Sequence, residues 1–289
     1  MEPKISIITP SLNSAKYIEN AIKSVLEQNY QNIEHIIMDG GSSDGTLRIL
    51  KKYSHLKWVS EADSGQSNAM NKGFLISTGE IIGYLNSDDY YLPGAFSAIL
   101  PYFENKEKFV VGNIKVVMDD GSFWINNARI GHEDMLKHWE PEAFCVNSVG
   151  YFYHREVQEK VGGFNECNHF AMDLEFLLSA SKYFKFHKID SLLGVFRYIT
   201  GTVTSQSQKS ENVWTKKNFQ FIDRFLNGMP EDFIIDFEKK REQGYLLRKN
   251  WQAHEKNKEK NYQKRFNGKT KCSWIRYVIE KAKKLKILS

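Results

Sequence analysis

A regular alternation over the first hundred residues narrows the fold of this 289-residue chain more than anything else in it. Short apolar runs of strand length stand at ISII (5–8), EHIIM (34–38), LKWVS (56–60) and IIGYL (81–85). Between them, apolar residues recur at helical spacing: Tyr17, Ile18, Ala21, Ile22, Val25 and Leu26, then Leu47, Leu50 and Tyr53, then Ala69, Met70, Gly73 and Phe74. Pro93 reads as a first-turn residue of a fourth helix running through Phe96, Leu100 and Phe103. Strand and helix in repeated succession imply right-handed crossovers, so the expected class is α/β with a mostly parallel sheet flanked by helices.

Open parallel sheets bind ligands outside the carboxyl ends of their strands, and the polar residues of this chain gather there. Thr9, Pro10, Ser11 and Asn13 follow the first strand, Asp39 to Asp44 the second, Glu61, Asp63, Ser64 and Gly65 the third, and Asn86, Ser87, Asp88 and Asp89 the fourth. Four strand ends are thus expected to converge on one crevice. Asp39, directly at a strand tip, suits hydrogen bonds to a base edge or ribose. Asp44 reads more simply as a helix cap, with Gly40 and Gly41 making the turn. Asp88 and Asp89 repel each other, and no Lys or Arg lies within residues 83–94. A divalent cation would remove that repulsion, and hard oxygen ligands favour Mn²⁺ or Mg²⁺ with substrate phosphates completing the shell. The plainer alternative is a loop in which one of the two caps the following helix.

After residue 108 the alternation stops. FVVGNIKVVMDDGSFWINNA (109–128) reads as two strands joined at Asp120-Gly121, and residues 170–183 as a helix with Phe170, Leu174, Leu177 and Leu178 on one face and Asp173 and Glu175 near its start. Residues 206–289 hold 21 Lys and Arg against 10 Asp and Glu, so the net +5 of the chain is +11 in this stretch and −6 in residues 1–205. Cys145, Cys167 and Cys272 lack CxxC spacing, which argues against a zinc site or a disulfide framework. With no signal-peptide pattern at MEPKISIITPS and no apolar run of membrane-spanning length, a cytoplasmic setting is expected. His132, Glu133 and Asp134 lack the second histidine of a zinc protease, and neither GxGxxG nor GxxxxGK[ST] follows the first strand.

Taken together and in order, ISIITPSLN, SVLEQNY, HIIMDGGSSDGT, EADSGQSNAMNKG and STGEIIGYLNSDDYY resemble the family 2 glycosyltransferases of GT-A fold, over about residues 4–205. The resemblance implies transfer of a sugar from a nucleotide-diphosphate donor, UDP by family habit, with inversion at the anomeric carbon, and acceptors such as the saccharides or lipid-linked saccharides of cell-surface polysaccharides. It implies a catalytic domain over residues 1–205, with a nucleotide-sugar half to about 108 and an acceptor half from 109, followed by a basic helical extension over 206–289. By the same resemblance Thr9, Pro10, Ser11, Asn13, Asp39, Asp63, Gln66, Asn86, Ser87 and Arg197 bind the donor, and Asp88 and Asp89 form the metal end of a DxD-type motif whose first acid is here Asn86.

The family's catalytic base stands in an acidic motif after a GGF segment. Here GGFNE occupies 162–166 and AMDLEF 171–176, which makes Asp173 the expected base, with Met172 where the family often has Glu and Glu175 as the alternative base. A place in the first helical turn favours the ionised form of Asp173 through the helix dipole. Asp173 would take the acceptor's proton as its oxygen attacks C1 opposite the diphosphate, while a metal at Asp88 offsets the leaving group's charge. Arg197 would either assist or form an ordinary strand-end salt bridge. Two other readings use the same crevice: a nucleotide-sugar-binding protein that has lost catalysis, and a sugar nucleotidyltransferase, for which TPSLNSAK is a poor triphosphate loop.

In the last twenty residues Ile275, Val278, Ile279, Ala282, Leu285 and Leu288 form one stripe, with lysines and Arg276 over much of the rest. That pattern fits either a helix on the anionic inner face of the plasma membrane, through residues 270–289, or a helix packed on the catalytic domain. Nucleic acid is not an expected partner, since the basic stretch carries no binding motif for it.

Overall fold

The computed structural model describes residues 2–140, 142–168, 171–199 and 219–263, with side chains to residue 247. Four parallel strands come first: β1 (Ile5–Ser11), β2 (Ile33–Asp39), β3 (Lys57–Ser60) and β4 (Ile81–Tyr84), joined through α1 (Ile18–Leu26), α2 (Thr46–Leu50) and α3 (Gln66–Ile76). β5 (Tyr90–Tyr91), α4 (Ala95–Glu104), β6 (Phe109–Met118), β7 (Phe123–Asn126), α5 (His132–Leu136), β8 (Tyr151–His154), α6 (Glu156–Val161), α7 (Met172–Ser181) and β9 (Phe186–Tyr198) follow. The strand order is β3-β2-β1-β4-β8-β6-β9-β5, with β7 paired to β6. The sheet is therefore parallel from β3 to β4 and mixed beyond, because β8 runs antiparallel to both β4 and β6.

Three of the four predicted strands of the first half form because they are buried on both sides, whereas β3, alternately exposed and half-buried, lies at the sheet edge. β1 and β4 are buried throughout, and β2 is buried from its second residue, which is why they read as unbroken apolar runs. α1 presents Ile18, Ala21, Ile22 and Val25 inward, at the spacing read from the sequence. The fourth helix differs from the expectation. It begins at Ala95, because Gly94 adopts a left-handed φ of 82° and breaks the chain direction, so Pro93 lies in the preceding turn. The β6–β7 hairpin closes at Gly121, which has φ 79°, and Leu174, Leu177 and Leu178 of α7 are buried. Phe170 lies outside the described residues.

Residues 219–247 pack onto this core. Phe219, Ile222, Phe225, Phe237 and Tyr245 belong to the same buried cluster as the sheet residues. His138 stacks on Phe219 at 4.2 Å and hydrogen-bonds the Tyr245 hydroxyl at 3.0 Å. The last described element, α8 (Glu231–Gln263), is anchored by Arg241, which is almost fully buried and paired with Asp223 and Glu238. No helix of the described residues is long and apolar enough to cross a membrane. The stripe expected over residues 270–289 lies outside them.

Candidate active site

The strand tips are cross-linked into one rim. Beyond β1, Asn13 sits at φ 49° and its Oδ1 accepts from the Ser43 amide at 2.9 Å, while the Asn13 amide donates to Ser42 Oγ at 2.7 Å. Ser87, beyond β4, hydrogen-bonds Ser14 at 2.8 Å, and Gln66 at the start of α3 donates to Asn86 Oδ1 at 2.8 Å. Asp44 accepts from the Thr46 amide at 3.0 Å and the Ala15 amide at 2.9 Å, so it secures the start of α2 to the β1 loop. These bonds hold the loops after β1, β2 and β4 and the start of α3 against one another.

Within the rim the residues divide sharply. Asp39 is buried, and its carboxylate accepts from the Ser42 amide at 2.9 Å, from the Ser60 hydroxyl at 2.7 Å and from the Ser42 hydroxyl. Asp63 accepts from the Gly65 amide at 2.9 Å and lies against Gly40, where an added Cβ would come within 2.8 Å of its Oδ2. Glycine at 40 therefore lets the second and third tips approach, and Gly41 supplies a φ of 87° for the turn. Ser11, in register with Asp39, has a buried hydroxyl with no hydrogen-bond partner, and Pro10 beside it is buried. Thr9 does not reach the rim. It is fully buried with Oγ1 2.9 Å from His35 Nε2, and burial holds that histidine neutral by pushing its pKa down to about 3.

The two adjacent aspartates take different places. Asp89 is fully buried and accepts from the Arg197 amide at 2.8 Å, the Asn147 side chain at 2.8 Å and the Asn86 side chain at 3.1 Å. Its oxygens accept from donors in three segments, so Asp89 ties the tip of β4 to the start of β8 and the end of β9. Asp88 is only half-buried, and no other described residue donates a hydrogen bond to its carboxylate. Burial raises its pKa, while Arg197 acts in the opposite direction. For Asp89, burial and then the Asp88 charge push the carboxyl well above the usual range. The Arg197 guanidinium donates to the Asp88 carbonyl at 3.2 Å and to Asn20 Oδ1 at 2.8 Å, and lies 4.6 Å from the Tyr90 ring centroid and 5.6 Å from that of Tyr17. A fixed cation therefore stands beside the Asp88 tip, with no acid among the described residues paired to it.

Asp173 reaches the same region through packing: its neighbour Met172 touches Ser67, next to the Gln66 that holds Asn86. The buried Tyr151 hydroxyl donates to Asp173 Oδ1 at 2.7 Å. Burial raises the Asp173 carboxyl to about 6, with the Tyr151 bond pulling the other way. Desolvation thus outweighs the helix-start effect expected from the sequence, and the carboxylate becomes a stronger base than an exposed aspartate. Tyr151→Phe removes a donor that favours the ionised form. The acid limb of the pH–rate profile should then move up by about one pH unit, the scale of one hydrogen bond to a charged group; an unmoved limb would separate Asp173 from the rate.

The alternative base, Glu175, is committed elsewhere. It is buried, accepts from Asn165 at 3.0 Å and Asn168 at 2.6 Å, and is paired with Arg224. Tyr151, Asn147 and Arg224 carry no local signal in the sequence, since each acts on a partner at least 22 residues away. Among the described residues no group of three or more His, Cys, Asp or Glu is placed to hold a metal ion.

Residues 6–178 match the profile of glycosyl transferase family 2, and the chain belongs to that family. It is 25% identical over 280 residues to an uncharacterized glycosyltransferase of Nostoc sp., covering 87% of this chain and 85% of that protein. It is 27% identical over 230 residues to the chondroitin synthase of Escherichia coli, covering 74% of this chain but 30% of that longer protein. S. aureus TarS 1-349 in complex with UDP-GlcNAc superposes with a TM-score of 0.64 at 19% identity, over 85% of this chain and 72% of that one. A mannosyltransferase of Pyrobaculum calidifontis in complex with GDP-Man and Mn²⁺ gives 0.62 at 16% identity, over 100% of this chain and 82% of that one. The fold is GT-A.

Proposed function

We propose that the chain is an inverting glycosyltransferase that moves a sugar from a nucleotide-diphosphate donor, a UDP-sugar in the first instance, to a saccharide or lipid-linked saccharide in polysaccharide synthesis. The observation that carries this reading is the Asp173 carboxyl, raised to about 6 and hydrogen-bonded by Tyr151. A group so poised accepts a proton near neutral pH, and Asp173 would deprotonate the acceptor hydroxyl as it attacks C1. Two relatives support the substrate class: a chondroitin synthase by sequence and, by fold, a protein in complex with UDP-GlcNAc.

The donor's parts have candidate partners. Ser11 offers a buried, unpaired hydroxyl between the first two tips, and Asp39 and Asp63 stand beside it. Asn86 and Ser87 are positioned by Gln66 and Ser14, and Arg197 presents its positive charge next to Asp88. Asp88 fits a Mn²⁺ or Mg²⁺ ion as a single carboxylate ligand, the arrangement in which substrate phosphates and water complete the shell. When bound, such an ion would offset the charge that develops on the departing diphosphate. Asp88→Ala should therefore weaken nucleotide-sugar binding at least tenfold and remove its sensitivity to a chelator. Donor binding that ignores both the substitution and the chelator would refute the metal assignment.

A further inference from the structure

On the face of α7 away from Asp173, α6, α7 and the 3-10 turn at Gln220–Phe225 surround an open concavity of about 280 Å³. Lys182 comes nine residues after Asp173, about two and a half helical turns, which places it on the opposite side of the helix. Three cations line the concavity, Lys160, Lys182 and Arg224, and its walls are Val161, Tyr183 and Phe225. Lys160 Nζ lies 5.1 Å from the Tyr183 ring centroid, and Lys182 Nζ and Arg224 Cζ lie 4.8 and 4.9 Å from that of Phe225.

Chance clustering on a basic surface does not account for this group, because residues 1–205, which supply both lysines, carry a net −6. Among the described residues no carboxylate lines the concavity. The acid paired with Arg224, Glu175, is buried beneath it, so the two lysine charges remain uncompensated at the opening. Ring faces beside the two ammonium groups reduce the ordering cost of placing both around one anion. Tyr183, 61% exposed, adds an apolar surface at the rim.

We propose that this concavity binds a phosphate group, with Lys160 and Lys182 as its charge partners and Val161, Tyr183 and Phe225 contacting the carbon body that bears it. Ammonium groups recognise phosphate as point charges, and charge-assisted hydrogen bonds supply the affinity. The phosphate is either that of an anionic lipid headgroup or that of a soluble phosphoester. Both would hold the enzyme by a surface separate from its donor crevice.

The test uses the full chain and a Lys160→Gln/Lys182→Gln variant whose melting is first matched to that of the parent. Arg224 is left in place, because its loss would leave buried Glu175 without its cation. Binding is measured to glycerol phosphate by titration, and to phosphatidylglycerol against phosphatidylcholine vesicles by co-sedimentation. The basic residues after 264 are present in both proteins, so the ratio between them reports the concavity. Tenfold or greater weakening toward glycerol phosphate supports the proposal with a soluble source. The same weakening confined to phosphatidylglycerol vesicles supports it with a lipid source. Parent and variant agreeing within twofold on both probes, or no binding by the parent to either, overturns it.

Discussion

Asp173→Asn should lower the rate of sugar transfer by roughly 10²- to 10⁴-fold, the range supplied by a positioned general base, while leaving nucleotide-sugar binding within a few-fold of the parent. The asparagine keeps the size of the side chain and can still accept from Tyr151, so packing at the start of α7 is retained. What it loses is the ability to take a proton. In the parent protein, with the carboxyl at about 6, activity should fall about tenfold for each pH unit below that value, because the protonated form accumulates. Above it the base is ionised and the profile flattens. A variant that retained most of its activity would transfer the proton role away from Asp173, and Glu175 would be a poor heir, since Arg224, Asn165 and Asn168 already hold it.

Asp89→Ala should destabilise the protein by about 3 kcal/mol, a large share of a typical folding free energy. The substitution leaves three donors, the buried Asn147 side chain, the half-buried Asn86 side chain and the Arg197 amide, without their acceptor, at about 1 kcal/mol for each. Loss of the carboxylate would also release Arg197 from the Asp88 tip, so donor binding should weaken together with stability. Asp88→Ala gives the contrasting result. It removes a half-buried carboxylate whose charge pushes up the pKa of its neighbour, so urea denaturation should show stability unchanged or slightly increased while donor binding falls. Equal destabilisation by the two substitutions would contradict the division of labour between these adjacent acids.

The contrast shows what the sequence could and could not reveal. Strand order along the chain, the helices and the convergence of four polar tips were legible because burial on both faces leaves apolar runs, and because turns and tips demand Gly, Ser, Asn and Asp. Asp173 was singled out through the resemblance, by its place after GGFNE and before an apolar helix. The roles of Asp89 and Thr9 were not, since DD and TPS look ligand-facing until Asn147, Arg197 and His35 are brought to them from 58, 108 and 26 residues away. The base's strength was misjudged for a related reason: a helix-start position is a local property, whereas the desolvation that outweighs it comes from the whole surrounding fold. Likewise, the change to a lysine-rich composition near residue 206 gave no hint that Phe219, Ile222 and Phe225 complete the main core.

Asp173 as the acceptor-side base implies a single displacement at the anomeric carbon. Its most direct test is the anomeric configuration of the first product formed, read by proton NMR after a screen of nucleotide sugars with the full-length protein. The expected product has a linkage of the configuration opposite to that of the donor, formed by the parent and not by Asp173→Asn. A product that keeps the donor's configuration would contradict it.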